Sequence, residues 1–322
     1  MRENKQKVII RADGNTEIGL GHVIRSMALA DILKEHFNCI FATRFLSTHI
    51  ESEANKVCSL IIKLPETEDE HLSKFLSFIT GDEIVVLDNY FYSTDYQKSI
   101  KDKGAKLVCI DDIHDKHFVA DAVINHAGGS RSEDYSIENY TKLYLGFKYA
   151  LLRRSFLDAK CTAVRDNNNV LICLGGADPK NNTLSTLDYA VKKYRNFNYH
   201  VVIGNAYMHK KELQCYIEKE EKITLYTSLS EIEIYKLMQC CSKAICSPST
   251  VSIEYLCSTK GELYLSRIAD NQIDLYNFYT DNGIGLDISR FFQPKSSFNT
   301  SLIKELFDGK QKDRVINIFS GL

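Results

Sequence analysis

The 322-residue chain has no tryptophan, only four prolines, and no apolar run near the ~18 residues that a membrane-crossing helix needs. It also lacks an excess of either charge. Forty Lys and Arg against 42 Asp and Glu leave a formal −2, and the charges are scattered along the chain. That balance excludes the general footprint of a nucleic-acid binder and a polybasic membrane anchor, while leaving room for a local basic cleft. The start of the sequence, Met1 to Lys7, runs into Val8-Ile9-Ile10 without the apolar segment and small-residue site of a signal peptide. The expectation is a cytoplasmic protein with neither a nucleic-acid nor a membrane partner. Nothing in the sequence fixes its oligomeric state. Ten cysteines are present, but no pair has Cys-x-x-Cys spacing, and several sit inside apolar runs such as Leu171-Ile172-Cys173-Leu174. They read as reduced packing residues, with no metal site and no cofactor expected.

What the chain does contain is a repeated alternation. Val8–Arg11, Cys39–Ala42, Ile84–Asp88, Leu107–Ile110 and Ala122–Asn125 are short, β-branched runs that read as buried strands. Between the first two, Ile24, Ala28 and Ile32, with Met27 and Leu33, mark the apolar face of a helix. The series restarts at Val170–Leu174 and continues through His200–Ile203, Ile223–Tyr226, Ala244–Cys246 and Leu263–Leu265. Helical stretches fall at Thr183–Lys193, Glu231–Cys240 and Ser252–Cys257. The polar stretch Leu157–Asn169 reads as the linker. The fold class expected is therefore α/β: two Rossmann-like domains, 1–163 and 164–322, facing across a cleft. In such sheets ligands bind at the carboxyl ends of strands.

Five loops at or near those ends carry the chemistry. Asp13, Gly14, Gly19, Gly21, His22 and Arg25 lie between the first strand and the first helix, where glycines allow close ligand approach and helix N–H groups suit an anionic ligand. The spacing is not the Gly-x-Gly-x-x-Gly of a dinucleotide enzyme, because His22 and Arg25 occupy the stretch where the third glycine belongs. His22 is the candidate to accept a proton from water; capping the turn or holding a phosphate are the alternatives. Asp88 and Tyr90 follow the third strand. For Asp111 and Asp112, a turn and a helix cap is at least as good a reading as function. The remaining histidines, His126 among them, read as surface or structural. In the second half Gly175 and Gly176 lie between a strand and a helix, as do Ser249, Thr250 and Glu254, which suit a diphosphate and a ribose diol. Asn271 and Gln272 follow the last strand of the series.

Arg11-Ala12-Asp13-Gly14-Asn15 with Ile18-Gly19-x-Gly21-His22-x-x-Arg25 resembles the signature of the UDP-sugar hydrolase family of pseudaminic acid biosynthesis, which has the GT-B glycosyltransferase fold. The likeness continues through Leu87-Asp88-x-Tyr90, Ile110-Asp111-Asp112, Gly146-x-x-Tyr149-Ala150-Leu151-Leu152-Arg153, Leu174-Gly175-Gly176-x-Asp178 and Asn271-Gln272. The resemblance implies cleavage of a UDP-activated 2,4-diacetamido-2,4,6-trideoxy sugar into UDP and free sugar, without metal and with inversion. It makes the residue matching His22 the base and gives Tyr90 an assisting role in the sugar site. Asn271 becomes a ligand contact, and UDP lies around Gly175, Ser249, Thr250 and Glu254. The sequence departs from the family where Cys246-Ser247-Pro248-Ser249-Thr250 replaces a glycine-containing Ser-x-Gly-Gly-Ser/Thr turn. A GT-B glycosyltransferase and a non-catalytic nucleotide-sugar-binding protein are the competing readings.

Overall fold

The structure is a computed structural model that describes residues 5–15, 20–158, 166–291 and 298–322. Its contacts divide into two units: Met1–Arg154 with Gly309–Leu322, and Ser155–Asp308.

In the first unit the strands are β1 (Lys7–Ala12), β2 (Asn38–Thr43), β3 (Leu60–Lys63), β4 (Ile84–Asp88), β5 (Lys106–Ile110), β6 (His117–Phe118), β7 (Ala122–Asn125), β8 (Ser136–Ile137) and β9 (Lys142–Leu145). Seven of them form one sheet in the order β3-β2-β1-β4-β5-β7-β9. Every pairing in it is parallel. The reason is visible in β4, where all five residues are buried: a strand apolar on both faces needs cover on both faces, which parallel βαβ crossovers supply. The helices are α1 (Gly21–Leu33), α2 (Thr48–Val57), α3 (Glu68–Leu76) and α4 (Thr94–Lys101). α1 is buried nearly all round, with one difference from the sequence pattern. Ile24, expected on the apolar face, is 37% exposed, because His22 and Arg25 take the inward side of that first turn.

The second unit repeats the plan. It begins in the short α5 (Arg154–Leu157), continues through β10 (Asp166–Cys173), α6 (Asn182–Lys193), β11 (Asn198–Ile203), α7 (Lys210–Ile217), β12 (Ile223–Thr227), α8 (Glu231–Cys240), β13 (Cys241–Cys246), α9 (Thr250–Thr259), β14 (Glu262–Leu265), α10 (Ile273–Asp281) and β15 (Leu286–Asp287), and ends with α11 (Thr300–Leu306). Its sheet is parallel in the order β12-β11-β10-β13-β14-β15. Val170, Val201, Ile245 and Tyr264 of the strands pack with Leu187 and Leu213 of the helices. Both units are therefore Rossmann-like, with strand order reversing beside β1 in one and β10 in the other. No helix among the described residues is long and apolar enough to cross a membrane.

The division differs from a boundary after residue 163 in two respects. The last helix, α12 (Gln311–Ser320), packs in the first unit: Val315 and Phe319 are buried, the Phe319 ring lies 6.1 Å from Phe37, and Arg314 donates to the Lys148 carbonyl. The expected linker Leu157–Asn169 also ends in structure. Its residues 159–165 lie outside the described residues, but Asp166–Asn169 begin β10, where polar side chains are tolerated because they are exposed or half-buried.

Candidate active site

The reversal point of the first sheet joins the carboxyl ends of β1 and β4, where Ala12 pairs with Asp88. α1 starts just beyond β1, and its first two turns face that point. His22 Nδ1 lies 2.8 Å from Asp88 Oδ1. Arg25 Nε donates to both Asp88 oxygens at 2.9 Å and Nη2 donates to Oδ1 at 2.6 Å, while the Ser26 hydroxyl adds a bond at 3.1 Å. Arg25 Nη1 extends to Asp112 Oδ2 at 3.0 Å. Tyr90 stands edge-on to the His22 ring, with centroids 4.6 Å apart and planes at 81°.

Asp88 is fully buried. Burial by itself pushes its carboxyl up, but Arg25 and then His22 outweigh burial and hold it at about 2. Arg25 Nη2 also lies 3.1 Å from His22 Nδ1, but it donates to Asp88 at the shorter 2.6 Å, so the ionised carboxylate favours the tautomer with the proton on Nδ1 and the Nε2 lone pair directed elsewhere. Among the described residues no group bonds that Nε2. An imidazole held by an orienting carboxylate in this way has the geometry that general-base chemistry requires. Asp112 is also held in its charged form: burial opposes this, and Arg25 prevails.

The adjacent carboxylates have separate roles. Asp111 Oδ2 accepts from the N–H groups of Ile113 and His114 at 3.2 and 2.7 Å and closes its own turn, with no helix following. Asp112 joins the His22 cluster, which the turn-or-cap reading of the sequence did not foresee. His126, at the end of β7, was likewise missed. It is 3% exposed, and burial, then Arg25, lowers its pKa to about 4. The signal for it was available: it directly follows an apolar strand run, the same position that singled out Asp88.

That shift gives a stability prediction. Between pH 6.5 and about 4 the unfolded chain binds a proton that folded His126 refuses, so stability falls as pH falls through this window. The loss approaches roughly 3 kcal/mol at its acid end. Urea unfolding followed by circular dichroism at pH 7 and 4.5 is expected to show it, and His126→Asn to remove most of it. His200, shifted downward by burial, leaves a smaller residual slope.

Asp13 goes elsewhere. It is fully buried, and its carboxylate accepts from at least five donors: Nη1 and Nη2 of Arg11, the Thr43 hydroxyl, and the backbone N–H and Nε of Arg44. The side chain, expected as a ligand contact, is engaged as a strut inside the wall of the loop. Asn89 donates to the Asp13 carbonyl at 3.1 Å and ties the loop to β4. Gly14 is buried beside it, Gly21 opens α1 on the surface, and Gly19 lies outside the described residues.

In the second unit the corresponding reversal point joins β10 and β13, where Cys173 pairs with Cys246. Gly175 has φ +109°, a conformation that L side chains rarely adopt. Gly176 is exposed. Gly204, absent from the sequence reading, is what lets the next loop approach: a Cβ there falls 2.5 Å from the Gly176 carbonyl oxygen. Gly204→Ala is expected to cost about 1–3 kcal/mol in denaturant unfolding, by forcing the two backbones apart.

The start of α6 is already occupied by an anion of the chain itself, since Asp178 accepts from the N–H groups of Asn182 and Thr183 at 3.0 and 2.6 Å. α9 differs, with Ser249 as its N-cap and no acidic residue in its first turn. There the Ser247 and Ser249 hydroxyls are 2.9 Å apart, and the Ser252 hydroxyl meets buried Tyr279 at 3.0 Å. The Ser-Pro-Ser-Thr turn is thus braced by hydroxyls. Thr250 is half-buried, Glu254 is buried, and Asn271 is exposed in a 3₁₀ turn over Asp270–Gln272. Gln272 Oε1 accepts from Ile268 and Ala269 of its own loop.

The fold is that of the GT-B glycosyltransferases. A calicheamicin glycosyltransferase, CalG4, matches all of this chain and 98% of its own at a TM-score of 0.64 and 9% identity. Anabaena HepE in complex with UDP-glucose matches 98% of this chain and 100% of its own at 0.60 and 11%. No family model matches the sequence. The particular resemblance comes from curated relatives. The chain is 26% identical, over 78% of its length and 88% of the relative, to the UDP-2,4-diacetamido-2,4,6-trideoxy-β-L-altropyranose hydrolase of Campylobacter jejuni. It is 27% identical to the spore coat polysaccharide biosynthesis protein SpsG of Bacillus subtilis, over 87% and 82%. An uncharacterized protein of Methanocaldococcus jannaschii, MJ1062, shares 31% identity over 78% of this chain, which spans about half (53%) of that relative's length.

Proposed function

We propose that the protein is a UDP-sugar hydrolase, acting on a UDP-activated 2,4-diacetamido-2,4,6-trideoxy sugar in pseudaminic or related nonulosonic acid biosynthesis. The observation that carries this reading is the His22–Asp88 pair, 2.8 Å apart, with the imidazole Nε2 unengaged by any described residue. In the reaction, Nε2 takes a proton from water as the water oxygen bonds to the anomeric carbon on the face opposite the nucleotide. The bond from that carbon to the UDP oxygen breaks, its electron pair leaves with UDP, and the anomeric centre inverts. Asp88 stabilises the imidazolium that forms, and Arg25 orients Asp88 rather than touching the ligand. Tyr90 packs against His22 and assists in the sugar site.

UDP is held by the second unit. Its diphosphate meets the N–H groups that open α9 after Ser249, beside the Gly175-Gly176 turn, and Glu254 serves the ribose. Asn271 and Gln272 add contacts from the loop after β14, and Gly21, exposed at the start of α1, leaves room for the sugar. The proposed reaction needs neither metal nor cofactor and takes place in the cytoplasm. Its product feeds acids that decorate flagellin or surface polysaccharide.

The glycosyltransferase fold neighbours keep a second reading alive, in which the sugar passes to an acceptor. Acceptor-free incubation separates the two. UDP appearing from UDP-2,4-diacetamido-2,4,6-trideoxy-β-L-altropyranose, with EDTA present and little from UDP-N-acetylglucosamine, is the expected result. UDP bound but not released by turnover contradicts it and points to a transferase or a binding protein.

A further inference from the structure

His126 is the one histidine beside the His22 cluster for which the proposed reaction has no use. It ends β7, one strand over from the β5 end that carries Asp112, and the charged groups acting on it are Arg25, Asp112, Asp88 and His22. With 3% of its surface exposed, it is more than nine-tenths buried. Its Nδ1 accepts from the Leu151 N–H at 3.4 Å, which leaves the ring proton on Nε2. Nε2 has no partner among the described residues, yet it is not one of the buried polar atoms cut off from solvent. The chain thus fixes the ring from behind and leaves one N–H donor at the edge of the site.

The wall around that donor selects its partner. Asp88 and Asp112 present two carboxylates against the single guanidinium of Arg25. An anionic oxygen such as a phosphate is repelled there, whereas a neutral acceptor is not. Burial keeps His126 in the neutral form, so its polarity as a donor does not change across the physiological range. Among neutral groups on a sugar, an amide carbonyl is the strongest acceptor.

We propose that His126 is a ligand-contacting residue, whose Nε2–H donates to the carbonyl oxygen of an N-acyl group on the sugar. The proposal rests on the UDP-sugar reading above and narrows it, making the first unit select acylamino sugars over those bearing only hydroxyls.

Two substitutions divide the roles of the ring. His126→Asn keeps an oxygen where Nδ1 accepts from Leu151 but cannot reach the Nε2 position. His126→Gln reaches that position with an amide N–H and gives up the Leu151 bond. Each is placed in a His22→Ala protein and titrated calorimetrically with UDP and with the UDP-diacetamido-trideoxy sugar, and unfolding temperatures are recorded alongside. The expected result is that His126→Asn weakens the UDP-sugar roughly 3- to 10-fold with UDP unchanged, and His126→Gln weakens it less. Equal affinities in parent and His126→Asn overturn the proposal. So does a parallel loss of UDP and UDP-sugar together with a lowered unfolding temperature, which makes His126 only a support for the Leu151 segment. A parent that binds UDP-sugar no better than UDP overturns the functional reading itself, and this inference with it; that outcome is seen before any His126 variant is titrated.

Discussion

His22→Ala is expected to lower UDP release by about 10²- to 10⁴-fold, the usual contribution of a positioned general base. The affinity for UDP should not change, since the nucleotide is assigned to the other unit. The cause is geometric. Asp88 spends its acceptor capacity on His22, Arg25 and Ser26. Arg25 is cationic, and Asp112, whose Oδ2 is held by that same guanidinium, leaves only a buried Oδ1 on a carboxylate held below its usual range, a weak base. Alanine removes the base and leaves no comparable one. Single-turnover UDP release beside a calorimetric UDP titration checks both halves. A variant that retains a tenth or more of the parent rate places the base elsewhere.

Asp13→Ala is the largest expected loss of stability. Arg11 is wholly buried and Arg44 is 7% exposed, and the carboxylate between them is the acceptor for both. The arginines also lie against aromatic rings, Arg11 5.5 Å from the Tyr92 centroid and Arg44 4.8 Å from that of Phe91, contacts that favour cations but do not replace an anion. Burial alone pushes the Asp13 carboxyl up, yet Arg11 and Arg44 hold it below its usual range. Removing one member of a buried ionic group costs about 3–5 kcal/mol, a large part of the ~5–15 kcal/mol by which folded proteins are stable. Urea unfolding should move to markedly lower denaturant. A change under about 1 kcal/mol in the variant means that water reaches the two guanidiniums, contrary to their burial.

These two residues show how far the sequence carried. Both lie in one conspicuous motif after the first strand, and the motif alone gives them similar standing. What separates them is which way each chain position faces. His22 is on the first turn of α1, turned toward β4; Asp13 is the residue after β1, turned toward Thr43 and Arg44 at the end of β2. Arg11 is near Asp13 in sequence, but Thr43 and Arg44, like the Asp88 that meets His22, are distant, so local pattern could not assign the roles. Asp111 and Asp112 pose the same problem at adjacent positions, and only the turn geometry decides that one caps it and the other meets Arg25.

The fold was more legible than the site, because β4 and β5 announce a parallel sheet by being apolar without alternation. The short edge strands β3, β9 and β15 carry no such signal: β3 has a single buried residue, β9 is largely half-buried, and β15 has only two residues. The return of α12 to the first unit was also out of reach. Its amphipathic pattern says that one face is covered, but Phe37, which covers part of it, belongs to a loop near the other end of the chain.

The measurement that most directly tests the central claim is hydrolysis of the UDP-diacetamido-trideoxy sugar in ¹⁸O-water, without acceptor, with the products weighed by mass spectrometry. Water attacking the anomeric carbon under His22 puts the label on the free sugar and none on UDP. Label on UDP means attack at phosphorus, and contradicts the roles of His22 as base and Asp88 as its orienting carboxylate.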